Sequence, residues 1–386
     1  MTKKLRVGVL FGGQSGEHEV SLSSARAVIE ALRASGKYDV VPVGITREGR
    51  WIVHPNALAI LASKAELRFR DSPAAAKARA GEDEPAALVP DGDRSALVPA
   101  GKGTGPERLD LVFPVLHGPK GEDGTVQGFL ELAGIPYVGS GVASSAVAMD
   151  KDLAKRIFRS TGLLVPDWVL LRRHRWERER PTALAQAKKS GFPCFVKPAN
   201  LGSSVGISKA KNEAELEAAI DEAARYDTKI LVEEAIDARE IEVSVLGHET
   251  PEASVPGEIV PSGEFYDYDA KYVDGKSDLI IPADLPPEKA AEVRDSAVRA
   301  FRALDCSGMA RVDFLLQRKS ERLYINELNT IPGFTSISMY AKLWEATGVP
   351  YAELLDRLIL HALERHAERK GLALSPKLPA PERGNS

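Results

Sequence analysis

Four side chains late in the chain could do chemistry together. Arg311 and Asp313 lie in the run Met309-Ala-Arg-Val-Asp-Phe314, Glu327 and Asn329 in Leu323-Tyr-Ile-Asn-Glu-Leu-Asn329. In both runs β-branched and aromatic residues alternate with polar ones, the pattern of a strand. Alternation puts Arg311 and Asp313 on one face of the first strand, and Glu327 and Asn329 on one face of the second. If the strands pair, Asp313, Glu327 and Asn329 converge as hard oxygen ligands of the kind Mg2+ prefers, completed by waters and substrate phosphates. Arg311 beside them can cover charge on a transferring phosphoryl group. The chain then turns at Pro332-Gly333 and exposes backbone N–H groups. Either pair alone reads better as a solvated hairpin with surface charges. The shared alternation and the turn that follows favour a site.

Two further stretches could serve phosphate chemistry. Phe192-Pro-Cys-Phe-Val-Lys-Pro198 is an apolar strand that delivers one lysine, Lys197. The small-residue loop Asn200-Leu-Gly-Ser-Ser-Val-Gly206 follows and can close over phosphates with N–H groups and the Ser203 and Ser204 hydroxyls. Upstream, the buried strand at 109–116 ends in His117-Gly-Pro-Lys-Gly-Glu-Asp-Gly124, at the carboxyl end of a parallel strand, where ligands bind in open α/β sheets. The helix expected at 125–133 points its N-terminus at that crevice. Phe265-Tyr-Asp-Tyr-Asp-Ala-Lys-Tyr272 is aromatic and acidic, too polar for a core strand, and reads as a lid.

The elements that position these residues begin with strand 5–11, helix 20–34 stopped by Gly36, and strand 40–45, the βαβ unit of a doubly wound parallel sheet. Residues 55–108 are rich in Ala, Pro, Gly and charge and read as a peripheral excursion with a small hairpin around Asp91-Gly92. Residues 139–148 read as a connection to a new domain. Helices at 150–159, 182–190 and 212–226 alternate with strands at 166–171, 192–198, 207–209 and 230–236. Strand 241–246 alternates as if half exposed, and amphipathic helices at 287–304 and 351–370 should pack on the last sheet. The class is therefore α/β, passing into α+β in the C-terminal part.

Composition narrows the function. The 386 residues suit two or three domains, with 44% hydrophobic and 27% charged residues. A net charge of −4 leaves no nucleic-acid footprint or polybasic membrane patch. No apolar run is long enough to span a bilayer, and the basic start runs into Gly12-Gly13 and Glu17, unlike a signal peptide. Cys194 and Cys306 sit in apolar surroundings, as buried thiols in a reducing compartment, so the cytoplasm is expected. Neither G-x-G-x-x-G after the first strand nor a P-loop lysine motif is present, which argues against a nicotinamide or P-loop enzyme.

Together these segments resemble an ATP-grasp enzyme, and within that superfamily the D-alanine–D-alanine ligases. The matching segments are Gly12-Gly-Gln-Ser-Gly-Glu-His-Glu-Val-Ser21, His117 to Gly124, Met149-Asp-Lys151, Val196-Lys-Pro198, Gly202-Ser-Ser-Val-Gly206, Tyr266-Asp-Tyr-Asp-Ala-Lys-Tyr272, Arg311-Val-Asp313 and Asn326-Glu-Leu-Asn-Thr-Ile-Pro-Gly-Phe-Thr-Ser336. They run in family order over nearly the whole chain. The resemblance implies an ATP-grasp fold: an N-terminal α/β domain at 1–140, a central ATP-binding subdomain at 141–234, a catalytic subdomain at 235–375 and a loose tail at 376–386. It implies ATP-dependent joining of two D-alanines through an acyl phosphate for peptidoglycan precursor synthesis, with Mg2+ (or Mn2+ in its place), K+ as a candidate activator, and a homodimer.

The roles it implies are these. Lys151, Lys197 and Ser204 hold ATP phosphates, and Lys271 contacts the γ-phosphate. Glu233, Glu234 and Ile236 belong to the adenine-binding linker, and Glu240 takes the ribose hydroxyls. Asp313, Glu327 and Asn329 bind paired magnesium ions. Glu17 pairs with the first D-alanine's ammonium, His117 lies near its carboxylate, and Glu17, Ser203 and Tyr272 tie down the lid. Arg311 and the Gly333 N–H serve the reacting carboxyl oxygen, and Ser338 and Met339 the second substrate's carboxylate. Arg311→Ala is expected to abolish most turnover with the fold intact. Ala310, Ile331 and Glu234 depart from common family choices, where glycine, serine and lysine are frequent. The rivals are ATP-grasp ligases making D-alanine–D-lactate or D-alanine–D-serine, and an ATP-binding regulatory protein without turnover.

Overall fold

The computed structural model describes residues 4–66, 86–89, 96–99, 107–202, 205–260 and 278–372. Short apolar runs punctuated by glycine build the first sheet. β1 (Leu5–Gly12) leads into α1 (His18–Ser35), which ends at Gly36 in the left-handed region, φ 66°. β2 (Tyr38–Ile45) returns parallel to β1, with Val7 opposite Val40. β3 (Trp51–Val53) adds an antiparallel edge and is followed by α2 (Ala57–Glu66). β4 (Ala86–Val89) and β5 (Ala96–Pro99) form the expected hairpin, and β6 (Glu107–Arg108) joins it. β7 (Leu111–Val115) rejoins the first sheet parallel to β1, giving the order β3-β2-β1-β7, and α3 (Thr125–Leu132) follows the His117 loop.

The stretch expected as a connection is instead a helix, α4 (Val142–Met149). It contains no Gly or Pro, and its small Ser144, Ser145 and Ala148 pack closely. α5 (Lys151–Ser160) starts at Asp150, whose carboxylate accepts from the Asp152 and Leu153 N–H groups. The second sheet is antiparallel, in the order β10-β9-β11-β8. Its strands are β8 (Trp168–Arg172), β9 (Cys194–Pro198), β10 (Ser208–Ala210) and β11 (Lys229–Glu234). Its helices are α6 (Arg173–Arg178), α7 (Arg180–Ala187) and α8 (Glu213–Ala223). α6 escapes the sequence pattern because Trp176 is its one buried side chain.

The third sheet runs β15-β14-β12-β16-β17, with β13 on β12. The strands are β12 (Ala238–Gly247), β13 (Glu252–Ala253), β14 (Gly257–Val260), β15 (Asp278–Ile280), β16 (Gly308–Gln317) and β17 (Leu323–Asn329). α9 (Pro287–Ala303), α10 (Met339–Ala346) and α11 (Tyr351–Lys370) complete the chain. β12 is buried on both faces from Ile241 onward, not half exposed. Ile241, Val243 and Val245 enter the core with α9, while Ser244 Oγ donates to the Tyr340 carbonyl of α10 (3.1 Å) and Glu242 meets Arg311. α11 also departs from expectation. Its Leu354, Leu355, Leu358 and Ile359 share one core with Val7, Val9, Phe11 and Phe113, so it packs on the first sheet and not on the last alone. Ile331 and Phe334 enter the same core, which anchors the turn after β17 to the N-terminal sheet.

Candidate active site

β16 and β17 pair antiparallel, with Arg311 opposite Asn329 and Asp313 opposite Glu327. The register slips between Asp313 and Phe314, so Phe314 faces Ile325 and Asn326 is the extra residue of a bulge. The bulge turns Asn326 as well as Glu327 out of the core. The Arg311 guanidinium donates to both Asp313 oxygens at 2.7 Å, and its Nε lies 3.0 Å from a Glu242 oxygen. Burial works against the Arg311 charge, but Asp313 and Glu242 outweigh it and hold the guanidinium firmly charged. Asn329 Nδ2 donates to Asp313 at 3.0 Å. Asp313, Glu327 and Asn329 thus offer carboxylate and amide oxygens with no thiol or imidazole among them, a donor set that fits a hard divalent cation.

Two lysines of the middle segment meet this strand pair. Lys197 Nζ donates to Glu233 at 2.8 Å and to Asn326 at 3.2 Å. Lys151 Nζ donates to the Leu201 carbonyl at 2.7 Å and lies 3.3 Å from Glu327. Glu233 is sealed off: a third lysine, Lys155, reaches its other oxygen at 2.8 Å, and both side chains are 1% exposed. Burial opposes the Glu233 charge, yet Lys155 and Lys197 hold its carboxyl below the usual range. Glu233 therefore faces lysines in this structure. Glu234 accepts from the Asp167 N–H at 2.8 Å. Ile236 and Glu240 lie beyond, at intermediate burial on either side of the start of β12.

The N-terminal sheet supplies the opposite wall. Glu17 is buried at the start of α1, and a Cβ on Gly118 would stand 2.6 Å from its Oε2. His117 has both ring nitrogens engaged. Nδ1 donates to the Ile331 carbonyl (2.9 Å), which can only accept, so Nε2 of the neutral ring accepts from Ser24 Oγ (3.0 Å). Burial lowers the His117 pKa and keeps the ring neutral. Ser24 Oγ in turn accepts from the Phe334 N–H at 3.1 Å. Glu122 accepts from the Gly118 N–H (2.7 Å) and the Ile331 N–H (3.2 Å). Burial and the nearby Glu17 charge push its carboxyl up to about 8. It is half-buried and lines the cleft.

A cavity of about 580 Å3 joins these walls. It brings together Glu17, His117, Arg311, Glu327, Asn329, Gly333, Ser338 and Met339, with Gly202 at the start of the small-residue loop. Ser338 Oγ accepts from the Thr335 N–H at 3.0 Å. Asp313 joins the site through Arg311 and Asn329, and Lys151 and Lys197 through Glu327 and Asn326. Ser203, Ser204, Lys271 and Tyr272 lie outside the described residues, as does the 265–272 lid. Sequence reasoning missed Ser24, Glu122, Lys155, Glu242 and Asn326. Glu122 stands inside a recognised motif, and the adjacent polar pair Asn326-Glu327 breaks strict alternation, so both left a signal.

The chain matches the family model for the D-ala D-ala ligase N-terminus over residues 6–140 and that for the C-terminus over residues 157–360. The D-alanine–D-alanine ligase of Thermoanaerobacter sp. (strain X514) is 52% identical, covering 95% of this chain and 99% of its own. That of Geobacillus kaustophilus (strain HTA426) is 48% identical, covering 97% and 99%. Among solved structures, the D-alanine–D-alanine ligase from Coxiella burnetii superposes with a TM-score of 0.81 at 38% identity, covering 96% of this chain and 97% of that one. A D-Ala:D-Ser ligase from Enterococcus faecalis gives 0.80 at 35% identity, covering 93% and 100%.

Proposed function

Because this chain belongs to the D-alanine–D-alanine ligase family, we propose the following division of labour in its cleft. The enzyme joins two D-alanines to D-alanyl-D-alanine at the expense of ATP, for peptidoglycan precursor synthesis. A carboxylate oxygen of the first D-alanine attacks the γ-phosphorus of ATP, the bond to the β-bridging oxygen breaks, and ADP and an acyl phosphate result. The neutral amine of the second D-alanine attacks the acyl carbon, the carbon–oxygen bond to phosphate breaks, and the amine loses its proton.

Carboxylate and triphosphate repel, so positioning and charge cover decide the rate. Lys151, Lys197 and Ser204 hold phosphates, and Lys271 contacts the γ-phosphate. Glu233, Glu234 and Ile236 border the adenine, with Glu233 acting on Lys197, and Glu240 takes the ribose. Asp313, Glu327 and Asn329 hold Mg2+ or Mn2+, which when bound screens the phosphoryl oxygens; K+ is the candidate monovalent activator. Glu17 takes the first ammonium, and with Ser203 and Tyr272 ties the lid that excludes water. Arg311 and the Gly333 N–H receive the charge on the reacting carboxyl oxygen. His117 lines the first-substrate site, and Ser338 and Met339 the second.

The observation that carries this reading is one cavity lined by the Glu17 carboxylate, the Arg311 guanidinium and the Gly333 turn, with lysines from the middle segment against its acidic strand. The division at 1–140, 141–234 and 235–375, with the tail at 376–386, a cytoplasmic location and a homodimer belong to the same reading. Leu132 on α3, 84% exposed, offers apolar surface for self-association. Among the described residues no helix is long and apolar enough to cross a membrane.

Phosphate release from Mg-ATP, with and without D-alanine, followed by product mass, tests the function. D-alanine-dependent release with a dipeptide product is expected. Faster coupling of D-lactate or D-serine, or tight ATP binding without release, would overturn it. Sedimentation at assay concentration tests the dimer.

A further inference from the structure

The Pro332-Gly333 turn follows β17 of the third sheet, yet its flanks are held from the first. Three hydrogen bonds do this: His117 Nδ1–H to the Ile331 carbonyl, the Ile331 N–H to Glu122 Oε1, and the Phe334 N–H to Ser24 Oγ. Ile331 is gripped at both its backbone groups, two residues before Gly333, and Phe334 is gripped directly after it. Among the described residues no hydrogen bond uses the Gly333 N–H itself. The Glu122 carboxyl also accepts from Gly118 N–H, the residue packed against Glu17, so one side chain spans the first-substrate wall and the turn.

We infer that Glu122, with Ser24, is a positioning residue of this reaction: it fixes the Gly333 N–H relative to the first-substrate wall, so that the N-terminal unit sets the geometry of an oxyanion donor that the C-terminal unit carries. The inference rests on the reading of Gly333 given above. In this structure each Glu122 oxygen accepts one backbone N–H. A glutamine of the same shape keeps one acceptor and turns an NH2 donor against the other N–H. A displacement of about 1 Å in a positioning group can cost about a hundredfold in rate. Loss of one tether should therefore appear in kcat. The KM for ATP should hold, because the lysines that meet the phosphates are anchored elsewhere, on Glu233, Asn326 and the Leu201 carbonyl.

The test compares E122Q, S24A and their double variant in the full-length enzyme by D-alanine-dependent phosphate release. Each single change is expected to lower kcat at least tenfold with the KM for ATP within twofold. The double variant should fall short of the product of the two losses, because both tethers act on one turn. Turnover within twofold of the parent in either single variant would overturn the proposal. So would a rise confined to the KM for D-alanine, the mark of a direct substrate ligand, or fully multiplicative losses. Should E122Q fail to fold, S24A decides by the same kcat criterion. Gly333→Pro, which removes the N–H itself, separates the two levels: if it retains kcat, the reading of Gly333 falls and the inference with it, whereas loss of kcat there beside an unaffected E122Q removes the tether alone.

Discussion

Lys155→Met gives the sharpest test of how the phosphate lysines are held. In the folded chain Glu233 is shared between Lys155 and Lys197, each at 2.8 Å, and no water reaches it. Removing one partner of a buried ion pair costs about 3–5 kcal/mol, because the remaining charge is left uncompensated. Lys197 still holds one Glu233 oxygen, so the lower end, about 3 kcal/mol, is expected. Activity changes by a separate route. With Lys155 gone, Glu233 draws the whole of its compensation from Lys197 and competes with Asn326 and the phosphates for that ammonium. A hydrogen bond to a charged group contributes about 1.5–3 kcal/mol, so weakening one raises the KM for ATP about tenfold. Urea unfolding followed by tryptophan fluorescence suits the stability measurement, since Trp168 stands beside Lys155, with Nζ 6.0 Å from its ring centre. The double variant Lys155→Met/Glu233→Leu removes both charges. It should recover only part of the lost stability, because Lys197 then keeps only Asn326 of the two partners named above, and it should not recover ATP affinity. A loss below about 1 kcal/mol for the single variant would refute the argument that a buried carboxylate needs both lysines.

Three other changes probe the remaining walls. Arg311→Ala should cut kcat by about 10²–10³-fold, the usual cost of an oxyanion donor; it should also lower the unfolding temperature, because Glu242 and Asp313 lose their cover, while the fold itself is retained. Burial depresses the pKa of His117, so between that lowered value and about 6.5 the unfolded chain binds a proton that the folded chain refuses, and stability should fall as pH drops through this window; His117→Gln should flatten that part of a pH–stability curve. Gly118→Ala places a Cβ 2.6 Å from Glu17 Oε2 at φ +75°, and should raise the KM for D-alanine about tenfold by displacing the ammonium's partner, read from initial rates.

Alternation of period two made Arg311, Asp313, Glu327 and Asn329 legible, because a strand with one buried face displays its functional side chains in sequence order. The bulge at Asp313/Phe314 was half visible in the adjacent Asn326-Glu327 pair, but only the paired strands show which residue is extra. Lys155 was hidden for a different reason. In the helix Lys151–Ser160 it reads as one more polar residue on a solvent face, and the Glu233 that makes it a core residue comes 78 positions later. Glu122 and Asp123 are indistinguishable in the motif. Only their partners separate them, since Asp123 accepts from Thr125 N–H and Lys120 N–H nearby while Glu122 reaches Ile331. Ser24 is one of three serines within four residues of α1, and nothing local points to a backbone N–H more than three hundred residues away. Such pairs are long-range in sequence, and periodicity carries no information about them.

The two halves of the reaction are positioned by different physics. On the reading proposed above, the lysines that meet the phosphates are set by ion pairs, Lys197 on Glu233 and Lys151 on Glu327, and such pairs can re-form around an incoming anion. The turn proposed to receive the carboxyl charge is set by packing as well as by its three tethers. Phe334 lies edge-on to Phe113 of the first sheet at 5.9 Å between ring centres, and against Tyr340 and Tyr351 at 5.5 and 5.7 Å. Close-packed aromatics have few alternative arrangements, so this wall cannot follow the substrate as the lysines can. Under the proposed roles, the carboxyl oxygen comes to a fixed donor while the nucleotide's phosphates are met by adjustable ones. That division suits an acyl phosphate: its carbonyl needs a rigid reference through both chemical steps, whereas the phosphoryl group moves from one oxygen to another and must be followed.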